Sequence, residues 1–185
     1  MKQIILFLIS SQIILSQSFS KFSFLGSKSM GMGGAVVSNV DDVETMFYNP
    51  SGLVNLDKYS VILGSSNLYD LRFLNHQFIA ISLPNNLALS FQQFSTDSKG
   101  IFSSQNSKTV NLSSEEVISI SQGIRLLNDA NSTLSIGYNL NALVFYQAGS
   151  AGPNGDGTFG LPASKSTSMG IDIGINASLR GKIIF

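Results

Sequence analysis

Leu134-Ser135-Ile136-Gly137-Tyr138-Asn139-Leu140-Asn141-Ala142-Leu143-Val144 carries an apolar side chain at every second position, and only Leu143 breaks the polar set between them. Ile171-Asp172-Ile173-Gly174-Ile175-Asn176-Ala177-Ser178-Leu179-Arg180 repeats the pattern. Successive side chains point to opposite faces of a strand, so a period of two reads as β-structure rather than helix. Ile118, Ile120, Gln122 and Ile124 alternate with Ser119, Ser121, Gly123 and Arg125, and Leu87, Leu89 and Phe91 alternate with Ala88, Ser90 and Gln92. Weaker strands are expected over about 59–68 and 74–83.

The chemistry of the polar side separates two all-β architectures. A soluble sandwich buries its apolar side and shows charge to water. A membrane barrel turns its apolar side to lipid and a polar side to its lumen. Here the polar side is Ser, Asn, Gly and Gln. The whole chain of 185 residues is only 12% charged, with 31 Ser, 15 Asn and 17 Gly, and its net charge is zero. Soluble domains are about 25% charged. The segments are about ten residues or longer, the length a tilted spanning strand requires. The expected fold is therefore an antiparallel transmembrane β-barrel. Its apolar positions Ile136, Tyr138, Leu140, Ile173 and Ile175 are expected to face lipid, and Asn139, Asn141, Asp172, Asn176 and Arg180 to face the lumen.

Connection lengths orient that barrel. Pro84-Asn85-Asn86 and residues 127–132 read as short turns, while residues 95–114 and 147–168 read as long connections. In outer-membrane barrels the short turns are periplasmic and the long loops extracellular. Strands over about 74–83, 115–126 and 169–180 then run inward, and those over 59–68, 87–94 and 133–146 run outward. Tyr69, Phe73, Phe94, Phe145 and Tyr146 gather near the outer ends, where an aromatic girdle is expected.

Residues 1–20 read as a signal peptide. Lys2 is followed by an apolar run from Ile4 to Leu15, interrupted by Ser10, Ser11 and Gln12, with small residues at Ser16 and Ser18. That pattern is an export signal, and it is too short and too broken for a spanning helix. The bacterial outer membrane is the expected location.

Residues 21–56 differ from the rest. Gly31-Met32-Gly33-Gly34-Ala35 precedes Asp41-Asp42, and Tyr48-Asn49-Pro50-Ser51-Gly52-Leu53 follows. Asp41 and Glu44 stand at capping-box spacing for a short helix. Pro50 would end that helix, and Gly52 would permit a turn. A phosphate-loop reading fails on spacing: Val36 holds the place of a third glycine, and Met32 stands where the loop lysine must be. The glycine-rich run, the Asp pair and the Tyr-Asn-Pro-Ser-Gly-Leu stretch together resemble the opening of the FadL-like outer-membrane family, in its PorV/PorQ-like branch. The resemblance implies a fourteen-stranded barrel with an N-terminal plug, or hatch, and places Gly31, Gly33, Gly34, Asp41, Asp42, Asn49, Pro50 and Gly52 in it. In such relatives the plug gates passage of long-chain fatty acids or other hydrophobic molecules, or the barrel serves protein secretion and surface attachment. Independently, an irregular segment at membrane depth must be covered by protein or border a wet lumen. Residues from about Gly26 to Leu56 are thus expected inside the barrel, with Gly31, Gly33 and Gly34 close to its wall.

Residues 57–185 supply about six strands, and eight is near the minimum for a spanning barrel. The reading taken is the front part of a longer barrel; the other is a complete small one whose Ile183 and Phe185 mimic a terminal aromatic signal. Absence of Cys excludes thiolate metal sites and thiol nucleophiles, zero net charge argues against nucleic acid, and one His leaves little for a triad. Neither enzyme chemistry nor a cofactor nor a metal site is expected. The expected partners are outer-membrane lipid and either a hydrophobic solute or secreted proteins. His76 reads as a lumen-facing or interfacial polar residue. Glu115 and Glu116 read as the solvated start of a strand, and residues 152–158 as a flexible loop with a faint likeness to a calcium-binding turn.

Overall fold

The computed structural model describes residues 26–33, 36–38, 41–101, 107–150 and 159–179. Residues 1–20, read as a signal peptide, and Gly34, residues 152–158, Arg180 and residues 181–185 lie outside the described residues. Among the described residues the chain forms two short α-helices, α1 (Ser27–Gly31) and α2 (Thr45–Tyr48), then a 3₁₀ segment, Pro50–Asn55. Six strands follow: β1 (Ser60–Asn67), β2 (Leu74–Leu83), β3 (Leu87–Ile101), β4 (Ser107–Asn128), β5 (Ser132–Gln147) and β6 (Ser164–Leu179). They make one antiparallel meander in the order β1-β2-β3-β4-β5-β6. No helix among the described residues is long and apolar enough to cross a membrane.

Register turns the alternation of each strand into continuous rows. Leu63, Ile79, Phe91, Ile118, Ala142 and Met169 align across all six strands, and the next row is Val61, Ile81, Leu89, Ile120, Leu140 and Ile171. These rows lie on an open face, where Leu63 is 74% exposed, Met169 83% and Ile171 66%. Toward the long-loop end the same face turns polar at Ser65, Gln77, Gln93, Glu116 and Thr167, and Gln93 Nε2 donates to Glu116 Oε1 at 3.2 Å. The opposite face buries Ser82, Ser90, Ser119, Ser121, Asn139 and Asn141. Phe78, Ala80, Ala88, Phe94, Val117 and Leu143 are buried there too, so the covered face is mixed, while the open face is apolar where a water-soluble sheet shows polar groups.

The N-terminal segment covers the polar face. Val43, Met46, Leu53 and Leu56 form its apolar core with Ala80 and Ala88, flanked by Phe47 and Ile62. Phe47 meets Phe78 edge to face, with centroids 5.9 Å apart. Full burial of Met46 and Leu53 is worth roughly 1.5–3 kcal/mol each. Close approach of the backbones comes from a row of wall glycines in register: Gly123, Gly137 and Gly174 on β4, β5 and β6. A methyl on Gly123 would lie 3.0 Å from Val54 N, one on Gly174 2.8 Å from Pro50 Cδ, and one on Gly137 2.6 Å from Pro50 O.

Several expectations need correction. The connection at 95–114 is largely strand, because β3 runs on to Ile101 and β4 starts at Ser107. A hairpin ladder needs backbone pairing and not apolar alternation, so this polar stretch gave no sign of it. A bulge between Thr96 and Asp97 marks the change, where Asp97 accepts hydrogen bonds from Asn75, Ser95 and Asn111. Glu115 is a buried residue inside β4, not a solvated strand start, and Glu116 is half-buried. Phe94 is buried on the covered face, and Phe145 aligns with Glu115 in the same row, so neither belongs to an outer girdle. The wall glycines, and not Gly31 and Gly33, make the close approach: those two are exposed, with no atom within 4 Å of an added Cβ.

Gly137→Ala should therefore destabilise the folded chain by about 1–3 kcal/mol, the usual cost of overpacking. Gly170→Ala, whose added carbon meets only Asn141 at ordinary contact distance, should shift stability by less than about 0.5 kcal/mol. Paired urea titrations of the two variants test this.

Candidate functional site

The chain's best-defined polar constellation is the seat of the N-terminal segment on the wall. Pro50 cannot extend α2 and starts the 3₁₀ turn, which leaves Asn49 extended at φ −153° and ψ 90°. Thr45 Oγ1 donates to Asn49 O at 2.9 Å. Asn49 Oδ1 accepts from Ser51 Oγ at 2.6 Å and Ser51 N at 3.4 Å. Its Nδ2 donates to Val37 O at 3.0 Å and to Ile175 O on β6 at 3.1 Å. One buried amide thus caps the 3₁₀ turn and ties two distant stretches of chain to it.

Two wall residues bond the segment in return. Asn139 Nδ2 on β5 donates to Met46 O at 2.8 Å. Arg125 Nη2 on β4 donates to Val54 O at 2.5 Å and to Asn55 Oδ1 at 3.1 Å. Each such bond contributes about 1 kcal/mol net, and more for the charged donor. Beside Asn139 a ladder crosses the strands: Ser119 Oγ donates to Asn141 Oδ1 at 2.6 Å, and Asn141 Nδ2 to Asp172 Oδ2 at 2.8 Å.

The segment also clasps itself. Lys28 Nζ lies 2.5 Å from Asp41 Oδ1 and 2.8 Å from Asp42 Oδ2. Hydrogen bonds to Asp41 and then Asp42 push the Lys28 ammonium up to about 12, and the bond from Lys28 holds the Asp41 carboxyl below its ordinary 3.8. The expected capping box does not form. Asp42 Oδ1, not Asp41, accepts from Glu44 N at 2.9 Å, while Glu44 Oε2 accepts from Ser29 N at 3.3 Å. Glu44 therefore serves the start of α1 and not its own helix, and burial raises its carboxyl above the usual range.

Of the residues singled out in the sequence, Asn49, Pro50, Gly52, Asn139 and Asn141 are buried at this seat. Asp172 and Asn176 share the covered face through their register with Asn139 and Ser135. Ile136, Tyr138, Leu140, Ile173 and Ile175 lie on the opposite face. Tyr138 meets a neighbour there, its hydroxyl donating to Gln122 Oε1 at 2.6 Å. Gly52 lies within the 3₁₀ turn rather than in a turn after it. His76 is fully buried in a row with Phe94 and Glu115. Arg125 and the glycine row were missed; the only available signal was that Gly123, Gly137 and Gly174 all fall on the polar side of alternating strands.

Two clefts border the seat. One of about 410 Å³ is lined by Val37, Ser38, Asn49, Ile175, Asn176 and Ala177. Another of about 470 Å³ includes Asp41, Asn55, Arg125, Asn128, Ser135 and Asn176. Among the described residues no three His, Asp or Glu gather as metal ligands. Neither protein-family models, nor curated proteins, nor solved structures yield a match to this chain.

The clasp sets a pH dependence. A lowered folded-state pKa makes the Asp41 contribution complete above 3.8 and lost as pH falls below it; a raised one makes the Lys28 contribution complete below 10.5 and lost as pH climbs toward 12. The difference in urea midpoint between wild type and Lys28→Met should be constant over about pH 5 to 9 and shrink in stronger acid. Burial of Glu44 acts with the opposite sign, but in both proteins, and so cancels to first order in the difference.

Proposed function

We propose that this chain forms wall and hatch of an outer-membrane β-barrel that passes hydrophobic small molecules, such as long-chain fatty acids, without covalent chemistry. The observation that carries the membrane reading is the open face of the sheet, where two complete apolar rows are exposed, while the covered face mixes Ser and Asn with apolar residues. The apolar stretch from Met169 to Ala177 on β6 matches the roughly 9–11 residues of a tilted spanning strand, and the polar change at Glu116 and Thr167 suits the outer interface. Among the described residues β1 and β6 pair on one side only. In lipid such edges carry unpaired amides, so the reading requires further strands on both. The FadL-like resemblance of residues 31–53 supports the same architecture.

Passage of a hydrophobic solute is favoured by the segment's apolar underside. Withdrawal of Met46, Leu53 and Leu56 would open a greasy surface with Ile62 and Phe78 at its rim, while the bonds through Asn49, Asn139 and Arg125 keep the segment in register. A role in a PorV/PorQ-like secretion and surface-attachment system is the second reading. It is favoured by the β3–β4 ribbon, whose pairing continues past Ser95–Ser114 to Ile101–Ser107 and so stands beyond the neighbouring strands as a surface for protein contact.

Fractionation of cells should recover the protein in the outer membrane, processed near Ser18 to Ser20; a soluble periplasmic monomer overturns the barrel. Leu140→Arg should cost about 2–4 kcal/mol of folding stability in bilayers if position 140 lies near the midplane, while Gln77→Arg should cost about 0–1 kcal/mol near the interface. Equal tolerance would reject the facing. Asn49→Ala should change uptake of a fluorescent fatty acid with assembly intact. Unchanged uptake leaves Asn49 a structural cap only, and loss of secreted cargo instead favours the second reading.

A further inference from the structure

Four buried polar atoms of the covered face have no hydrogen-bond partner among the described residues: Ser82 Oγ, Ser90 Oγ, Ser121 Oγ and Asn139 Oδ1. All four residues are more than nine-tenths buried. They are clustered. Ser82, Ala88, Ser121 and Asn139 occupy one register row across β2, β3, β4 and β5, and Ser90 stands diagonal to both Ser82 and Ser121. The row runs beside the apolar core of the seat, which Ala88 shares with Met46 and Leu53. The other end of the Asn139 amide is already engaged by Met46 O at 2.8 Å. Its Oδ1 is therefore the atom left to satisfy.

A hydroxyl or amide oxygen buried dry loses its bonds to water and gets nothing back, so native interiors rarely tolerate several side by side. Side chains directly opposite on neighbouring strands are about 4.5–5.5 Å apart. One water with two hydrogen bonds of about 2.8 Å spans that gap. Ser82, Ala88, Ser90 and Ser121 are all small, which keeps the wall low at this place. We propose that an ordered water bridges Ser121 Oγ and Asn139 Oδ1, and that separate waters satisfy Ser82 Oγ and Ser90 Oγ on either side of the apolar contact at Ala88. Buried water of this kind is part of the structure, with about three polar partners for each molecule. The segment is then seated by apolar packing on one side and by exchangeable solvent on the other. The inference rests on the seat alone and holds whether or not the segment gates a solute.

Two measurements on the full-length protein test it. A crystal structure that resolves solvent should place water within about 2.7–3.2 Å of both Ser121 Oγ and Asn139 Oδ1. Hydrogen exchange should show the amides of residues 46–56 exchanging roughly fivefold faster in Ser121→Ala, and faster still in the triple Ser82→Ala, Ser90→Ala, Ser121→Ala variant, because bridging bonds are lost. Dry hydroxyls give the opposite sign, since removing an orphaned group relieves its cost. Absence of solvent at these two atoms, or unchanged or slower exchange in the variants, overturns the proposal.

Discussion

The pleat of a β-strand sends neighbouring side chains to opposite faces, and in this chain most of the apolar set goes to the open face. Everything else follows from where that leaves the polar set. Ser, Asn, Glu and His are directed to a face that is then covered, so each needs a partner from the sheet, from the N-terminal segment or from solvent. The ladder Ser119–Asn141–Asp172 is supplied by the sheet, and the bonds from Asn139 and Arg125 by the segment.

The segment and wall fit each other through the absence of side chains as much as through their presence. The row Gly123, Gly137 and Gly174 lets Asn49, Pro50 and Val54 come down to the wall backbone. Only at that depth can a short amide such as Asn49 reach Ile175 O. On the other side, Met46 and Leu53 pack over the small residues Ala80 and Ala88. The seat is thus polar and backbone-directed against β4, β5 and β6, and apolar against β2 and β3. An element held in this mixed way is fixed in register by its hydrogen bonds and in place by its apolar packing.

The bulge between Arg125 and Leu127 makes the pattern coherent. The turn-proximal pair Leu127–Leu134 would continue, without a bulge, to set odd residues of β4 against even residues of β5. The one-residue shift places Arg125 opposite Ser135 and Ser121 opposite Asn139. A one-residue slip moves a whole strand face from one side to the other. Without it Tyr138 and Leu140 would join the polar face, and both the Asn139 bond to Met46 and the glycine row would be lost.

Alternation alone determined the strands near 74–83, 133–146 and 169–180, because side-chain period is a local property of the backbone. The same alternation separated Asn139, Asn141, Asp172 and Asn176 from Leu140 and Ile173, and Pro50 marked the end of α2. The polar ribbon past Ser95 was not legible, since ladder bonds leave no mark on side-chain composition. Nor was the seat. Which glycines align, which amide reaches Met46 O, and that Glu44 serves α1 all depend on register and on contacts between residues far apart in the chain. Those are decided only when the strands pair and the segment packs, because a hydrogen bond depends on distance in space and not on separation in sequence.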